Sequence, residues 1–426
     1  MQDLNRTLMV TIAVVIAFAA TAAAQVGVVV GTGDPNIDVP AVQAAVDQGG
    51  FVTLIGHLSF DRPPTRPAGA TYSRMVTVSK EVVITGNRDE HAELPTIEAG
   101  FIPFLVEAPG ARVVLQGLHF LRPKGAAIWV YAASGLAITL CRIEAVEASV
   151  EFASYAEVAN PLADAIFVSS IGPPPTAVNP GQPENFSGTL LILSNDIDVG
   201  GTSGENTLGI AVFSVGQSPD KQVDLYISGN TIRNTTRRAM ELHHIGGRVH
   251  IERNVITTGA IQAPIAGVSS DAMRVVGSGS YLVAHNSINC AWPIATGIRV
   301  HGNPPLGDVI ARAIVVDNDV TMSPPEGTVF GDLSAGIDIR GFAQGNVVLN
   351  NRIRGRGRAA LAVTAQGAGF PGNNAFISND LTGFQSSLAD VYVDAGVTNT
   401  LVIGTQNSVE DHGDGTLIVP VPFSDE

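Results

Sequence analysis

One arrangement of apolar and polar positions recurs along the second half of the chain. Two apolar residues flank a variable one, two residues follow, and then come Asn, a variable residue and another apolar one. Leu190, Ile192, Asn195 and Ile197 show it first. Leu225, Ile227, Asn230 and Ile232 repeat it, as do Val249, Ile251, Asn254 and Ile256. Asn286, Asn318, Asn351 and Asn379 continue the series, with successive Asn spacings of 35, 24, 32, 32, 33 and 28 residues. Alternation on both sides of the Asn predicts strand, turn, strand. Asn suits the turn because its short amide tolerates left-handed backbone angles. Stacked in register, such amides can also bond from coil to coil as a ladder.

A further strand accompanies nearly every Asn turn. Aligned, its members run Ala127-Ile128-Trp129-Val130-Tyr131, Ala165-Ile166-Phe167-Val168-Ser169, Gly209-Ile210-Ala211-Val212-Phe213 and Ala239-Met240-Glu241-Leu242-His243. Ala272 to Val276, Gly297 to His301, Gly336 to Arg340, Ala360 to Thr364 and Asp390 to Asp394 continue the alignment. The second and fourth positions are always apolar and must point inward, because side chains alternate across a strand. No coil can bury these strands alone, so neighbours must stack. The prediction is an all-β, single-stranded right-handed parallel β-helix (a solenoid) of about 10–12 coils of roughly 30 residues each. A capping helix should precede it, with Asp38 as N-cap, Pro40 in the first turn and Val39, Val42, Ala45 and Val46 as its apolar stripe. Gly49-Gly50 should end that helix, and Phe51 to Ile55 should form the first coil's strand. Leu118 and Ile143 stand where later coils place Asn, and Gly172 to Pro183 reads as a Pro-rich surface insertion.

Composition sharpens this picture in three places. Only 15% of the 426 residues are charged and 46 are Gly, which favours a β-rich solenoid over a helical protein. The net charge of −15 argues against a nucleic-acid partner, which needs clustered Lys and Arg. The N-terminus reads as a secretion signal over residues 1–24: Arg6, an apolar run from Leu8 to Ala20, then Ala22-Ala23-Ala24 with cleavage after Ala24. The alternative is an uncleaved anchor; no other stretch is long and apolar enough to span a bilayer. The β-helix then occupies 25–409 and an acidic, loosely held tail 410–426, and the mature protein is expected to be secreted, periplasmic or at the cell surface. Cys141 and Cys290 fall four coils apart, near 19 Å at ~4.8 Å per coil, which excludes a disulfide and predicts two buried thiols.

The capping helix, the Gly49-Gly50-Phe51-Val52 entry and the repeated Gly-Ile-x-Val and Asn-x-Ile coils resemble the pectin-lyase-like superfamily of right-handed β-helices. The resemblance covers about residues 36–409. It implies the fold. That superfamily holds polysaccharide lyases, glycoside hydrolases, uronate epimerases and non-catalytic surface proteins, so it does not fix a reaction. The chain lacks the Asn-Thr-Asp, paired-Asp and Gly-His-Gly series of polygalacturonases and the Trp-Ile-Asp-His segment of pectate lyases.

The register singles out one face. Positions three and five of the aligned strand point outward and read, coil by coil, Trp129 and Tyr131, Phe167 and Ser169, Ala211 and Phe213, Glu241 and His243, Arg274 and Val276, Arg299 and His301, Asp338 and Arg340. Trp129, Tyr131, Phe167 and Phe213 are candidates for stacking on sugar rings. Glu241, His243, Arg274, Arg299, His301, Asp338 and Arg340 are candidates for catalysis. A polyuronate lyase or uronate epimerase needs a cation on the substrate carboxylate, here Arg274 or Arg299, and a base, here His243 or His301. Glu241 and Asp338, three coils or about 14 Å apart, are too distant for simple glycoside hydrolysis. The expected partner is a polysaccharide, with a polyuronate as the acidic case. The competing expectation is a solvent-facing row of cross-strand ion pairs on a non-catalytic glycan-binding or surface scaffold protein. His244, His250 and His285 are read as structural or surface residues. Asp411-His412-Gly413-Asp414 is too weak a pattern to assign a metal, and no cofactor motif is present.

Overall fold

The computed structural model describes residues 26–420 except 67–72, 89–91, 150–161, 170–185, 202–204, 217–218, 263–269, 278, 303–311, 332–333 and 405–407. The expected signal segment and the Pro-rich insertion therefore lie outside the described residues, apart from Val26 onward.

The chain winds as a right-handed parallel β-helix with three faces. One coil shows the plan. Gly188–Leu193 lies on the first face, Asp196–Asp198 on the short second face and Asn206–Val215 on the third, after which Val223–Ser228 returns to the first. Every pairing between these strands is parallel to the equivalent strand one coil away. The second face contains 11 strands among the described residues, matching the coil number expected from the repeat. Inward positions form one continuous apolar column from Val29 to Val402.

The Asn ladder is present, with one change in how it works. The Asn195 amide donates to Asn230 Oδ1 at 2.9 Å, and Asn230, Asn254, Asn286, Asn318 and Asn351 each donate in the same way to the next Asn. The left-handed residue is not the Asn but the one before it: Ser194, Gly229, Arg253, His285, Asp317, Asn350 and Ser378 have φ between 50° and 66°. The Asn is selected for its buried amide, which satisfies backbone as well as side-chain partners. In the coil before Asn195, the ladder position is held by Cys141 rather than Ile143, since Arg142 pairs with Asp196. The Cys141 backbone N–H donates to Asn195 Oδ1 at 3.0 Å and so terminates the ladder. Both cysteines are buried and free, and burial pushes both thiols up to about 12.

The N-terminal helix α1 spans Pro35–Gln48 and places Val39, Val42, Ala45 and Val46 over the open end of the core. Its N-cap is Asp34, not Asp38: Asp34 accepts from the Asn36 N–H at 2.9 Å. Asp38 is buried inside the first turn. Its carboxylate accepts from the Thr32, Gly33 and Ser59 N–H groups at 2.8, 3.0 and 2.8 Å, tying the helix to the first coil. A strand before the helix, Val26–Val30, pairs with Gly50–Ile55 and went unread in the sequence. At the other end the tail boundary moves. Val409–Asp411 pairs with Val391–Val393 and Leu417–Val419 pairs with Leu401–Ile403, so the β-helix continues past residue 410 to Val419.

Candidate functional site

The third face carries the candidate residues in the expected register. Trp129, Phe167, Ala211, Glu241, Arg274, Arg299 and Asp338 pair in one row. Phe213, His243, Val276, His301 and Arg340 form the adjacent row. A third outward row was missed: Asp164, Leu208, Arg238, Asp271 and Thr296. Simple alternation would turn these inward relative to the rows just named. The strand instead sends two consecutive residues into the core, as with Ala239 and Met240. The first of the two must be small. A Cβ on Gly209 would lie 2.5 Å from Ile232, and one on Gly336 would lie 2.4 Å from Ile353. The Gly or Ala that opens every aligned strand but the last was the available signal for this irregularity.

These rows are not a solvent-facing surface. Arg238, Glu241, Asp271, Arg299, His301 and Asp338 are buried, and they form one connected network. Arg238 Nη1 lies 2.6 Å from Glu241 Oε2. Arg299 bridges two carboxylates, with Nη1 2.9 Å from Asp271 Oδ1 and Nε 3.2 Å from Asp338 Oδ2. Thr364 Oγ1 donates to Asp338 Oδ1 at 2.8 Å. Glu241 and Asp338 are thus engaged separately, three coils apart, with Arg274 and Arg299 on the coils between.

The two histidines differ. Arg274 Nη2 lies 2.6 Å from His301 Nδ1. A guanidinium can only donate, so Nδ1 accepts and Nε2 carries the proton. That Nε2–H donates to Gln366 Oε1, which also accepts from Arg340 Nε at 3.3 Å. Both nitrogens of His301 are therefore in use. His243 Nε2 lies 2.8 Å from the buried carboxylate of Glu241, which fixes Nε2 as the donor and leaves Nδ1 as a lone-pair acceptor. Burial lowers His243 to about 3, outweighing Glu241, and burial together with Arg274 and Arg299 holds His301 well below its ordinary value. Burial opposes the Glu241 charge, but Arg238 and His243 prevail and hold that carboxyl well below the usual range. Arg274 falls to about 9 through burial and the neighbouring Arg238. At neutral pH the His243 and His301 imidazoles are thus neutral, the Glu241 carboxylate is ionised and Arg274 is a cation. Among the described ionisable groups of the network, His243 and Arg274, each with 12% of the side chain exposed, and Arg340, with 19%, reach the surface.

The aromatic residues sit otherwise than expected. Trp129, Phe167 and Phe213 are buried with Leu162, Leu208 and Ala211 in a second apolar cluster outside the main core, and only Tyr131 lies partly open at its margin. Their rings pack on one another, with centroids 5.7 Å apart for Trp129 and Phe167 and 5.9 Å for Phe167 and Phe213. The stack runs on into His243, 4.7 Å from Phe213. They wall the ionic row and orient His243; they do not present open faces for stacking on sugar. Asp164 lies beside them, and burial with the nearby Glu241 raises its carboxyl well above the ordinary range.

No protein-family model matches the sequence, and no curated protein matches it. Among solved structures the chain is similar to a periplasmic alginate epimerase at 11% identity and a TM-score of 0.43, over 87% of this chain and 77% of that one. It is similar to the tailspike protein of E. coli bacteriophage HK620 at 12% identity and a TM-score of 0.48, over 90% and 75%. It is also similar to a mannuronic acid specific polysaccharide family 6 lyase from human gut microbiota at 11% identity and a TM-score of 0.36, over 93% and 92%. At these identities the likeness concerns coil stacking and carries no residue role across.

Proposed function

We propose that the chain is an exported carbohydrate-active β-helix protein that acts on an acidic polysaccharide by lyase or uronate-epimerase chemistry. The observation that carries this is that His243, whose Nε2–H is anchored on Glu241 and whose Nδ1 has no hydrogen-bond partner among the described residues, stands beside the cation Arg274, the register partner of Glu241 on the next coil. His243 Nδ1 would take the proton from the carbon next to a uronate carboxylate. Arg274, with Arg340, would neutralise that carboxylate as charge moves onto it. Return of a proton to the opposite side of the carbon gives the epimer. Expulsion of the glycosidic oxygen β to it, which takes up a proton from solvent water or the imidazolium formed at His243, breaks the chain and leaves a carbon–carbon double bond. Both outcomes share the first step. Glu241 and His301 would act as positioning residues, and Arg238, Asp271, Arg299 and Asp338 would fix the guanidinium array.

The test is a panel of polyuronates assayed both for unsaturated-product absorbance and for epimer content by NMR. Wild-type protein should change at least one substrate, and His243→Ala should abolish the change. Inertness toward every acidic glycan, by both readouts, overturns the proposal. A non-catalytic glycan-binding or scaffold role draws on one observation, the complete burial and ion pairing of Arg299 and Asp271. Glycan binding without turnover would establish that role instead. Export belongs to the same proposal and predicts a mature N-terminus at Gln25 by mass spectrometry.

A further inference from the structure

The outer side of the first face is apolar over its last six coils. Its strands present two outward rows. One reads Leu282, Ile314, Val347, Ala375, Leu401 and Leu417, and the other Ala284, Val316, Leu349, Ile377, Ile403 and Val419. All twelve side chains are apolar, and they lie opposite the inward row that begins at Val283 and Val315. Ile314 is 50% exposed, Leu417 59% and Val419 38%. A parallel sheet is ordinarily covered on both sides. Of the twelve only Ala284 is buried and the other eleven are partly or largely exposed, while the equivalent outward side chains of earlier coils, Val83, Val114, Ala137, Leu191 and Leu193, are buried.

We propose that this surface is the dimer interface of the protein, packed face to face with the same surface of a second copy. Three features select a second copy. First, the ridges repeat at the coil spacing of ~4.8 Å, so only another parallel β-helix face matches them over the whole length. Second, six coils of two rows make an apolar core on the order of 400 Å² per copy; a polar margin of the same size completes the roughly 800 Å² per partner of a specific interface. Third, the rim is self-complementary. The strand Arg312–Val316 begins with exposed Arg312 and is followed directly by exposed Asp317. A two-fold axis parallel to the helix axis sets coil against coil with strands antiparallel. Arg312 of one copy then faces Asp317 of the other, twice per dimer. Among the described residues Arg312 has no ion-pair partner, and Asp317 has only His285 at 3.9 Å.

The experiment is sedimentation velocity on the full chain from 1 to 100 µM (roughly the range in which an interface of this size associates), for wild type, Ile314→Asp, Arg312→Asp and Arg312→Asp/Asp317→Arg. Wild type should dimerise. Ile314→Asp should weaken dimerisation more than tenfold with unchanged circular dichroism, Arg312→Asp should weaken it several-fold, and the double charge reversal should restore it. A wild type that stays monomeric throughout overturns the proposal, as does a dimer indifferent to both single substitutions. Should Ile314→Asp misfold, the charge-reversal pair still decides. Co-sedimentation of a monomeric wild type with phosphatidylcholine vesicles, lost in Ile314→Asp, would assign the face to a lipid surface instead.

Discussion

His243 and His301 stand two coils apart in one row, and their hydrogen bonds give them different parts. His301 accepts from Arg274 and donates to Gln366, so it can orient but has no lone pair left for a substrate proton. His243 keeps Nδ1. Hence His243→Ala should remove turnover altogether. His301→Ala should leave a reduced kcat, about 10- to 100-fold lower, because Arg274 loses its acceptor. Equal loss in both variants, measured on the best polyuronate, would contradict this division. The sequence could place both imidazoles on one face. It could not say which nitrogen each would spend, since that depends on Gln366 and Arg274, distant in the chain and joined only by coil stacking.

At the level of elements, the Asn turn and the end strands have measurable roles. Asn254 accepts from Asn230 and donates to Asn286 and to the Ile227 carbonyl, all in the buried interior. Asn254→Ala orphans several of these groups and should cost about 1–3 kcal/mol, read as a lower urea midpoint with unchanged activity per folded molecule. The ladder was legible from spacing alone; the left-handed residue ahead of each Asn was not, because Ser, Arg, His, Asp and Gly all fill that place. Truncation after Ser408 removes Val409–Asp411 and Leu417–Val419 and exposes Val391, Val393 and Val402. It should lower the melting temperature and raise dye binding to exposed apolar surface, whereas a loosely held tail could be removed without effect. The tail looked acidic and separate because its strands are only three residues long, too short for alternation to show.

At the scale of the whole molecule, the buried ionic rows link stability to pH. His243 is neutral in the folded state down to about 3 and ordinary, near 6.5, when unfolded. Between those values the unfolded chain binds more protons, so stability rises with pH and is lost as pH falls from about 6.5 toward 3. His301 and Glu241, both held low, act in the same direction. Asp164, held protonated, acts oppositely from about pH 3.8 upward, where the unfolded chain has released its proton and the folded chain keeps it, and so offsets part of the histidine effect. Urea unfolding at pH 7 and pH 4.5 should show lower stability at pH 4.5, with a smaller difference in His243→Leu.

The sequence by itself determined the coil, the face on which each repeated residue would lie and the partners of the Asn ladder. These follow from a period-two pattern and a fixed stacking distance, both local rules. Only the tertiary structure decided that the outward row is buried, that Arg238 and Asp271 belong to it and that Trp129, Phe167 and Phe213 form a wall. Burial of an outward side chain depends on what packs across it from other coils. The irregular strand entry depends on close approaches between neighbouring coils, such as Gly209 to Ile232 and Gly336 to Ile353, which no single coil contains.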